Sequence, residues 1–452
     1  MEHAAVKRNF RFGLGSLTLS ATAVLLAVSC QTLTSSWADA RGAAWYSTPL
    51  IMVFVTYFIA FGALRYVARR AQRRESVFLS FWWTFTICCA HMIGFSLKGF
   101  AFAVIVYGTE HDDQKGPTTK GRIWLFTLAS IALSCLVFFI IVKRTKLAEE
   151  KYSKKLRARQ DLSMEQKAYM NRWNIRMKMA KREMVIEALC TALGFVFSSS
   201  VSSLWRDDPM SAFKEEEPCS SLNETEIFLG ESSDEDYAQY EGIYFAILYA
   251  SLPLILVALK RLDQLRHIAK EIIRQTLVVV LSVSYFVLSS EIVKKSDKGA
   301  TDTQKILFHC ANFFVIFLLA AIMMRFVDGV RNPVSRIQAS PVREILRAAG
   351  YLWYRAWPII VGLVAEQLLS CIFNIVIEST SSSKEEASAT YIKANGVNFG
   401  ISFLLLLLAA YFFGDARKTL KEAEVDKVIE ADDMQHYSLL EENEEEEEDD
   451  DD

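Results

Sequence analysis

The chain has 452 residues, of which 52% are hydrophobic and 23% are charged, and its formal net charge is −3. These averages exclude a disordered chain, a collagen and a coiled coil, and the low counts of Gly (19) and Pro (8) disfavour an all-β fold. The apolar residues are not spread evenly but form ten blocks of about the length that spans a bilayer, roughly 20 residues, which excludes a soluble enzyme. In chain order the blocks are 12–34, 46–64, 77–107, 122–142, 183–204, 243–259, 275–293, 304–324, 349–377 and 395–413.

The sequence therefore predicts an all-α, polytopic membrane bundle of about ten transmembrane helices, because helices satisfy every backbone polar group inside lipid. Basic residues collect in alternate connections, which places those connections and both termini in the cytoplasm. We divide the chain into a first group of four helices, a basic amphipathic linker, a second group of six helices and a disordered acidic tail. The corresponding ranges are 1–142, 143–182, 183–413 and 414–452.

The loop 206–241 carries twelve acidic residues against two basic ones, so the charge rule places it on the exoplasmic side. It contains Asn223-Glu224-Thr225, a glycosylation sequon. A glycosylated Asn223 indicates a eukaryotic secretory-pathway membrane, and we expect the plasma membrane or an endosomal or lysosomal membrane.

Two cytoplasmic segments have the composition of interaction sites. Residues 163–182 combine Met and Trp at helical spacing with many basic residues, which fits a helix on anionic lipid, a target of a calmodulin-like partner, or a helix packed on the ends of the bundle. In the tail, Tyr437 to Leu440 resembles a tyrosine-based sorting signal read by clathrin adaptors. The acidic run that follows is either a solvated tail or a site for a basic partner. No feature predicts nucleic-acid binding.

Ionisable residues inside the apolar blocks are functional candidates by default, because burying them in lipid is costly. His91 and Lys98 in the third block are seven residues apart and share one helix face. Gly94 and Gly99 allow a close neighbouring helix there. The alternative is structural: a His that hydrogen-bonds to a neighbouring helix, and a Lys that snorkels to the surface.

The ninth block carries a polar stripe of Arg355, Glu366, Ser370 and Asn374, with Gln367 beside it. Glu366 lies deep in the block and needs a partner from another helix, because Arg355 is about 16 Å away along its own helix. Candidate partners are His91, Lys98, Asn395 and Asn398. The functional interpretation is a carboxylate that binds a proton or cation. The structural interpretation is a protonated Glu366 in an interhelical hydrogen bond.

The sequence shows no zinc-protease helix, nucleophile elbow, phosphate-binding Gly loop or Cys–His metal spacing, so we expect neither an enzyme nor a metal or cofactor site. The leading hypothesis is a transporter or channel for a proton, small ion or small solute, with a polar site near the membrane midplane. The alternative is a non-transporting receptor, lipid-handling factor or trafficking scaffold that acts through its cytoplasmic segments.

Two stretches near the C-terminus resemble one known family. Trp353-Tyr354-Arg355, followed by Glu366 and Gln-Leu-Leu, and the ending Tyr411 to Asp415 are similar to the last helices of low-temperature-requirement A type multipass membrane proteins. The resemblance covers about 60 residues and implies candidate roles for Arg355 and Glu366 alone. Tyr354 and Ala365 depart from the family pattern, as does the opening helix.

Overall fold

The computed structural model describes residues 2–39, 75–110, 163–206, 209–213, 234–262, 267–297, 299–331, 341–380 and 384–448, together with parts of 48–62 and 120–151. Every regular element in these ranges is a helix, as predicted. The long helices are α1 (Glu2–Asp39), α2 (Glu75–Glu110), α3 (Met164–Ser202), α4 (Asp234–Arg261), α5 (His267–Asp297), α6 (Asp302–Arg331), α7 (Pro341–Thr380) and α8 (Lys384–Glu448). A short 3-10 helix lies at Pro209–Phe213.

Eight stretches of these helices are long and apolar enough to cross a membrane. They coincide with eight of the ten apolar blocks of the sequence and fit a multi-pass integral membrane protein. The other two blocks, 46–64 and 122–142, lie largely outside the described residues. A shorter apolar helix at Ile51–Ala60 and helical residues 120–132 fall within them.

The helices on the outside of the bundle expose large apolar side chains along their length. Ile247 on α4, Phe314 on α6 and Leu404 on α8 are 61%, 68% and 56% exposed. Contiguous apolar surfaces of this kind are rare on proteins that face water. We therefore take the exposed faces of α4, α6 and α8 as the lipid-contacting surface.

Five helices close a ring in which α1 packs on α2, α2 on α3, α3 on α5, α5 on α7 and α7 on α1. Among the described residues, none of the five packs extensively against the two helices opposite it. Outside the ring, α4 packs on α5 and α7, α6 packs mainly on α7, and α8 packs mainly on α1. The ring therefore encloses an interior that side chains of several helices reach.

Glycines set the spacing of neighbouring ring helices at two positions. A Cβ added to Gly362 of α7 would lie 2.7 Å from the carbonyl oxygen of Ala21 in α1. A Cβ added to Gly94 of α2 would lie 3.1 Å from the carbonyl oxygen of Ala188 in α3. Since a backbone oxygen cannot move aside as a side chain can, both helix pairs depend on the missing methyl group.

The sequence predicts a linker that ends at residue 182 and a membrane span that begins at residue 183. In the structure, helix α3 crosses this boundary without a break. One continuous helix covers both parts and begins at Ser163, which forms a capping box with Gln166. The Ser163 side chain accepts from the Gln166 amide at 3.2 Å, and the Gln166 side chain accepts from the Ser163 amide at 3.1 Å. The N-terminal half of α3 is thus a continuous helical extension of a candidate membrane span.

The sequence predicts a disordered tail from residue 414, whereas in the structure α8 continues through most of that tail to Glu448. Disorder was predicted because of the acidic run at the end of the tail. The residues before this run carry an apolar stripe that packs on the bundle. Val425 is fully buried, and Ile429 packs on the same cluster, which contains Trp82 and Trp173. Tyr437 to Leu440 also lie within the helix, whereas adaptor binding requires an extended peptide. Asn223 lies outside the described residues.

Candidate functional site

The centre of the candidate site is a histidine–glutamate pair on two adjacent ring helices. His91 of α2 is 2% exposed, and its Nε2 lies 3.8 Å from Oε1 of Glu187 in α3. The close approach at Gly94, one turn from His91, brings the two helices together. In the described part of the chain, the buried His91 Nδ1 has no hydrogen-bond partner. The pair forms an ion pair whenever the imidazole takes up a proton.

Arg355 of α7 faces the same carboxylate from the opposite wall of the ring. Its neighbours Trp353 and Ala356 are buried, at 8% and 0% exposure, yet the Arg355 side chain is itself exposed. It interacts electrostatically with Glu187 and Glu183 of α3, a helix that α7 does not pack against extensively. An exposed side chain with these partners faces the interior of the ring, not lipid.

A tyrosine links Arg355 to a second arginine. The guanidinium carbon of Arg355 lies 6.0 Å from the centroid of the Tyr351 ring, one helical turn away on α7. The guanidinium carbon of Arg274 of α5 lies 4.7 Å from the same centroid. Both distances are within the range of a cation–π interaction. Arg274 is also exposed and lies six residues inside its span, which begins at Ile268.

The part of α8 that continues beyond its apolar span, from residue 416 to residue 448, is called the α8 extension below. It contacts the ring through ion pairs on the side of the His91–Glu187 pair that we predict to be cytoplasmic. Arg417 donates to Glu183 at 2.7 Å and to the backbone carbonyl of Trp83 at 3.1 Å. The Lys421 ammonium lies 3.2 Å from the other oxygen of Glu183. Burial disfavours that ammonium, but the Glu183 carboxylate outweighs the effect and raises the pKa of Lys421. Glu183 lies one helical turn before Glu187, so this layer directly adjoins the central pair.

A second set of contacts fixes the same extension to α2 and α3. Arg176, 2% exposed, donates to both oxygens of Glu422, at 3.1 and 2.6 Å, and its guanidinium lies 4.8 Å from the Trp173 ring centroid. Trp83 Nε1 donates to Glu422 at 3.2 Å. Burial raises the pKa of Glu422, but the hydrogen bonds and charge of Arg176 outweigh burial, and the pKa lies below its ordinary value. Trp173 and Arg176 therefore pack against the bundle, which is the structural alternative for residues 163–182.

Above the central pair, aromatic rings surround a lysine. Lys98 is 7% exposed, and its Nζ lies 5.8, 5.1 and 4.8 Å from the ring centroids of Phe95, Phe102 and Phe195. Phe95 of α2 and Phe195 of α3 also contact each other edge to face, with centroids 5.2 Å apart. Lys98 is thus held inside the bundle and does not snorkel to its surface. The layer separates the His91–Glu187 pair from the opposite end of the ring.

A further charged cluster joins α3, α4 and α5 at the end that we predict to be exoplasmic. Glu241 is 1% exposed and accepts a hydrogen bond from Ser202. Arg206 lies 3.7 Å from Glu241 and 3.4 Å from Glu291. From the sequence alone, Arg206 and Glu241 are the two ends of the predicted acidic loop. The one signal of a buried charge was the position of Glu241, which follows the acidic run and directly precedes an apolar block.

The remaining predicted site residues make separate contacts. Glu366 accepts a hydrogen bond from Ser370 of its own helix at 2.6 Å, and Gln367 donates to Ser290 of α5 at 2.7 Å. Asn374 is buried, at 6% exposure. Glu366 lies on α7 and His91 on α2, and these two helices do not pack extensively against each other within the described residues.

His91 instead lies beside Glu187, a residue that was not part of the predicted site. Glu187 lies four residues after Glu183, near the start of an apolar block, which is also where interfacial glutamates are common. Two acids one turn apart within such a block were the signal for an interior site.

No group of three or more His, Cys, Asp or Glu side chains suited to a metal ion occurs among the described residues. No family model, curated protein or solved structure matches the chain. The resemblance to the low-temperature-requirement A type therefore stays a prediction, with Arg355 and Glu366 on one helix, α7.

Proposed function

We propose that the protein is a membrane transporter whose interior site, formed by His91, Glu187 and Arg355, takes up and releases a proton during transport. The observation that carries this proposal is the pairing of His91 with Glu187 inside a ring of apolar helices, opposite the exposed Arg355. An imidazole beside a carboxylate can take up a proton and give it up again. Ionisable groups inside membrane bundles characteristically mark such pathways.

The layers on either side of the site support an occluded arrangement. On the predicted cytoplasmic side, Glu183 is bound by Arg417 and Lys421 of the α8 extension. On the other side, Phe95, Phe195 and Lys98 fill the space between α2 and α3. Alternating access to the central site requires these two layers to open in turn. The ion pairs of Glu183 are the inner barrier in this scheme.

For the topology we propose ten transmembrane helices with both termini in the cytoplasm. The alternation of basic and acidic connections supports this orientation, and so does the disulfide bond of Cys371, whose partner lies outside the described residues. Disulfides persist in oxidising compartments. Cys371 lies toward the C-terminal end of the α7 span, Glu344–Ile377, so this end faces the exoplasm and the preceding basic connection faces the cytoplasm. The same orientation makes Asn223 available for glycosylation.

A second candidate function is a receptor that reports the state of the interior site to the cytoplasm. It is favoured by one observation: Glu183, a single turn from Glu187, is held by residues of the cytoplasmic extension of α8. In this case the pair would bind a ligand or proton without carrying it across. A flux measurement separates the two functions.

The test is proton flux into liposomes that contain the purified protein, measured with an enclosed pH-sensitive dye under an imposed pH gradient. We expect wild-type flux above that of empty liposomes, and a loss of at least about tenfold in Glu187→Gln. Glu344→Gln is the matched control, because Glu344 pairs with Lys260 and Arg261 at the surface. Equal flux in Glu187→Gln and wild type would contradict the proposal. Glu366→Gln tests the predicted role of Glu366 in the same assay.

A further inference from the structure

The guanidinium group of Arg355 has unused hydrogen-bonding capacity inside the ring. Within the described residues it makes no hydrogen bond and no ion pair within 4.0 Å, and its guanidinium carbon lies 6.0 Å from the centroid of the Tyr351 ring. A guanidinium carries five N–H donors in a planar fork. No acceptor among the described residues satisfies these donors, so they are available to water or to a bound group. The position has the chemistry of a binding site for a hydrogen-bond acceptor.

The ligand that matches this fork is an oxyanion. Guanidinium groups bind carboxylate and phosphate groups through two parallel hydrogen bonds, which a lysine or a single hydroxyl cannot reproduce. Arg274, on the other side of the Tyr351 ring, adds a second exposed guanidinium near the predicted cytoplasmic end of α5. Arg274 and Arg355, which both lie against the Tyr351 ring, therefore form a path of positive charge from that end of α5 toward the interior.

The other charged groups around Arg355 leave one carboxylate to compete with such an anion. Glu183 is already matched by two cations, Arg417 and Lys421. Glu187 is then the acid that interacts with both Arg355 and His91. The remaining ionisable groups that act on Arg355 are Tyr351 and Tyr354 of its own helix.

Protonation of His91 changes this competition. When His91 is neutral, Arg355 is the cation that balances the negative charge of Glu187. When His91 is protonated, its own positive charge balances Glu187, because His91 Nε2 lies 3.8 Å from Glu187 Oε1. An anion at Arg355 then meets less repulsion, and by thermodynamic linkage the bound anion favours the protonated His91 to the same extent. A bound cation is a poorer match, because it would lie among Arg355, Arg417 and Lys421.

We propose that the ring interior binds a small oxyanion, carrying a carboxylate or phosphate group, at the guanidinium of Arg355, and that this anion crosses the membrane together with a proton on the His91–Glu187 pair. This inference rests on the proposed transport function and names its substrate class. Arg355 is the substrate-binding residue, Arg274 and Tyr351 form its approach, and Glu187 couples the anion to the proton.

The experiment measures uptake of radiolabelled inorganic phosphate and succinate into proteoliposomes, with and without an inward proton gradient. For wild type we expect uptake of phosphate or succinate that the gradient stimulates. In Arg355→Gln and Arg355→Lys it should fall at least about tenfold, since a single ammonium does not replace the bidentate fork. Arg261→Gln is the matched control, because Arg261 is a surface arginine with 73% of its side chain exposed, and it should keep wild-type uptake.

The outcomes separate this inference from the proposed function. Proton flux that is indifferent to phosphate and succinate would overturn the oxyanion site and leave a proton transporter. If no protein-dependent flux occurs, the transport function fails, and thermal unfolding of the purified protein with millimolar phosphate or succinate tests the site itself. A rise in Tm for wild type but not for Arg355→Gln supports oxyanion binding, and no rise in either contradicts it. Comparing the Tm values of the two proteins without anion shows whether the variant is folded.

Discussion

Glu187 of α3 and Arg355 of α7 interact electrostatically across the interior of a ring of helices, although the helices that carry them do not pack extensively against each other. The same carboxylate lies 3.8 Å from His91. One acid is thus placed between a permanent cation and an imidazole that can take up a proton. This arrangement, and not the polar stripe around Glu366, is where we locate proton binding.

The ring depends on the close packing of α1 against α7, and glycine substitutions test this packing. Gly362→Ala places a methyl group 2.7 Å from the carbonyl oxygen of Ala21, so we expect a loss of about 1–3 kcal/mol in the free energy of unfolding. Gly396→Ala in α8 is the control, because a Cβ there has no neighbour within 4 Å. Thermal unfolding in detergent measures both, and equal Tm values for the two variants would contradict the proposed ring spacing.

The sequence was sufficient to predict the fold class and most helices, because uninterrupted apolar blocks of bilayer length have one economical solution. It was less informative where polar and apolar residues share a helix. The stretch after Asp415 was interpreted as disordered because charge dominates its composition. The apolar positions that anchor it are few, the buried Val425 and the partly buried Ile429 among them, and their partners lie on distant helices.

The candidate site was predictable in part for a similar reason. His91 and Arg355 stand out because each is an ionisable residue within an apolar block. Their relationship depends on which helices are neighbours in the ring, and helical periodicity within one segment does not contain that information. Glu187 was therefore not included in the predicted site, and Glu366 was given His91 as a candidate partner.

The attachment of the α8 extension to the bundle is expected to depend on Arg176 far more than on Arg172. Both arginines contact Glu422, but the Arg176 side chain is 2% exposed and that of Arg172 is 38% exposed. Arg176→Ala leaves a largely buried carboxylate without its main partner and should cost about 3 kcal/mol of stability. Arg172→Ala removes a partly solvated contact and should cost at most about 1 kcal/mol. Similar Tm decreases for both variants would contradict this assignment.

The same attachment is expected to weaken in acid. Because the pKa of Glu422 is lower in the folded protein than its ordinary value of 4.5, its ionisation stabilises the folded state above that value. This stabilisation is lost as the pH falls through the lowered pKa. Lys421 has a raised pKa, so its contribution is complete below 10.5 and is lost only at higher pH.

Thermal unfolding of wild type and Glu422→Gln as a function of pH checks the acid limb. The Tm difference between the two proteins should be constant near neutral pH and should shrink as the pH falls below 4.5. A difference that stays constant throughout this acid range would show that the charge of Glu422 does not hold the extension in place.

At the opposite end of the bundle, Arg206 is expected to stabilise the junction of α3, α4 and α5. Arg206→Ala leaves Glu241, 1% exposed, without its cation, and should cost about 3 kcal/mol in the free energy of unfolding. The double variant Arg206→Ala/Glu241→Gln removes the unpaired charge and should recover part of this loss. Thermal unfolding of both variants gives the comparison, and a double variant less stable than Arg206→Ala would argue against a buried ion pair.

Proton uptake and oxyanion binding both require water to reach the ring interior beside His91, Glu187 and Arg355, and cysteine accessibility measures this directly. In protein whose native free cysteines are replaced by alanine, Arg355→Cys and Ala356→Cys are treated with a small membrane-impermeant methanethiosulfonate reagent. Arg355 is exposed and Ala356 is fully buried, at 0%. We predict modification at position 355 and none at the adjacent position 356. An unreactive cysteine at 355 would mean a dry bundle, and would contradict both proton uptake and oxyanion binding at this site.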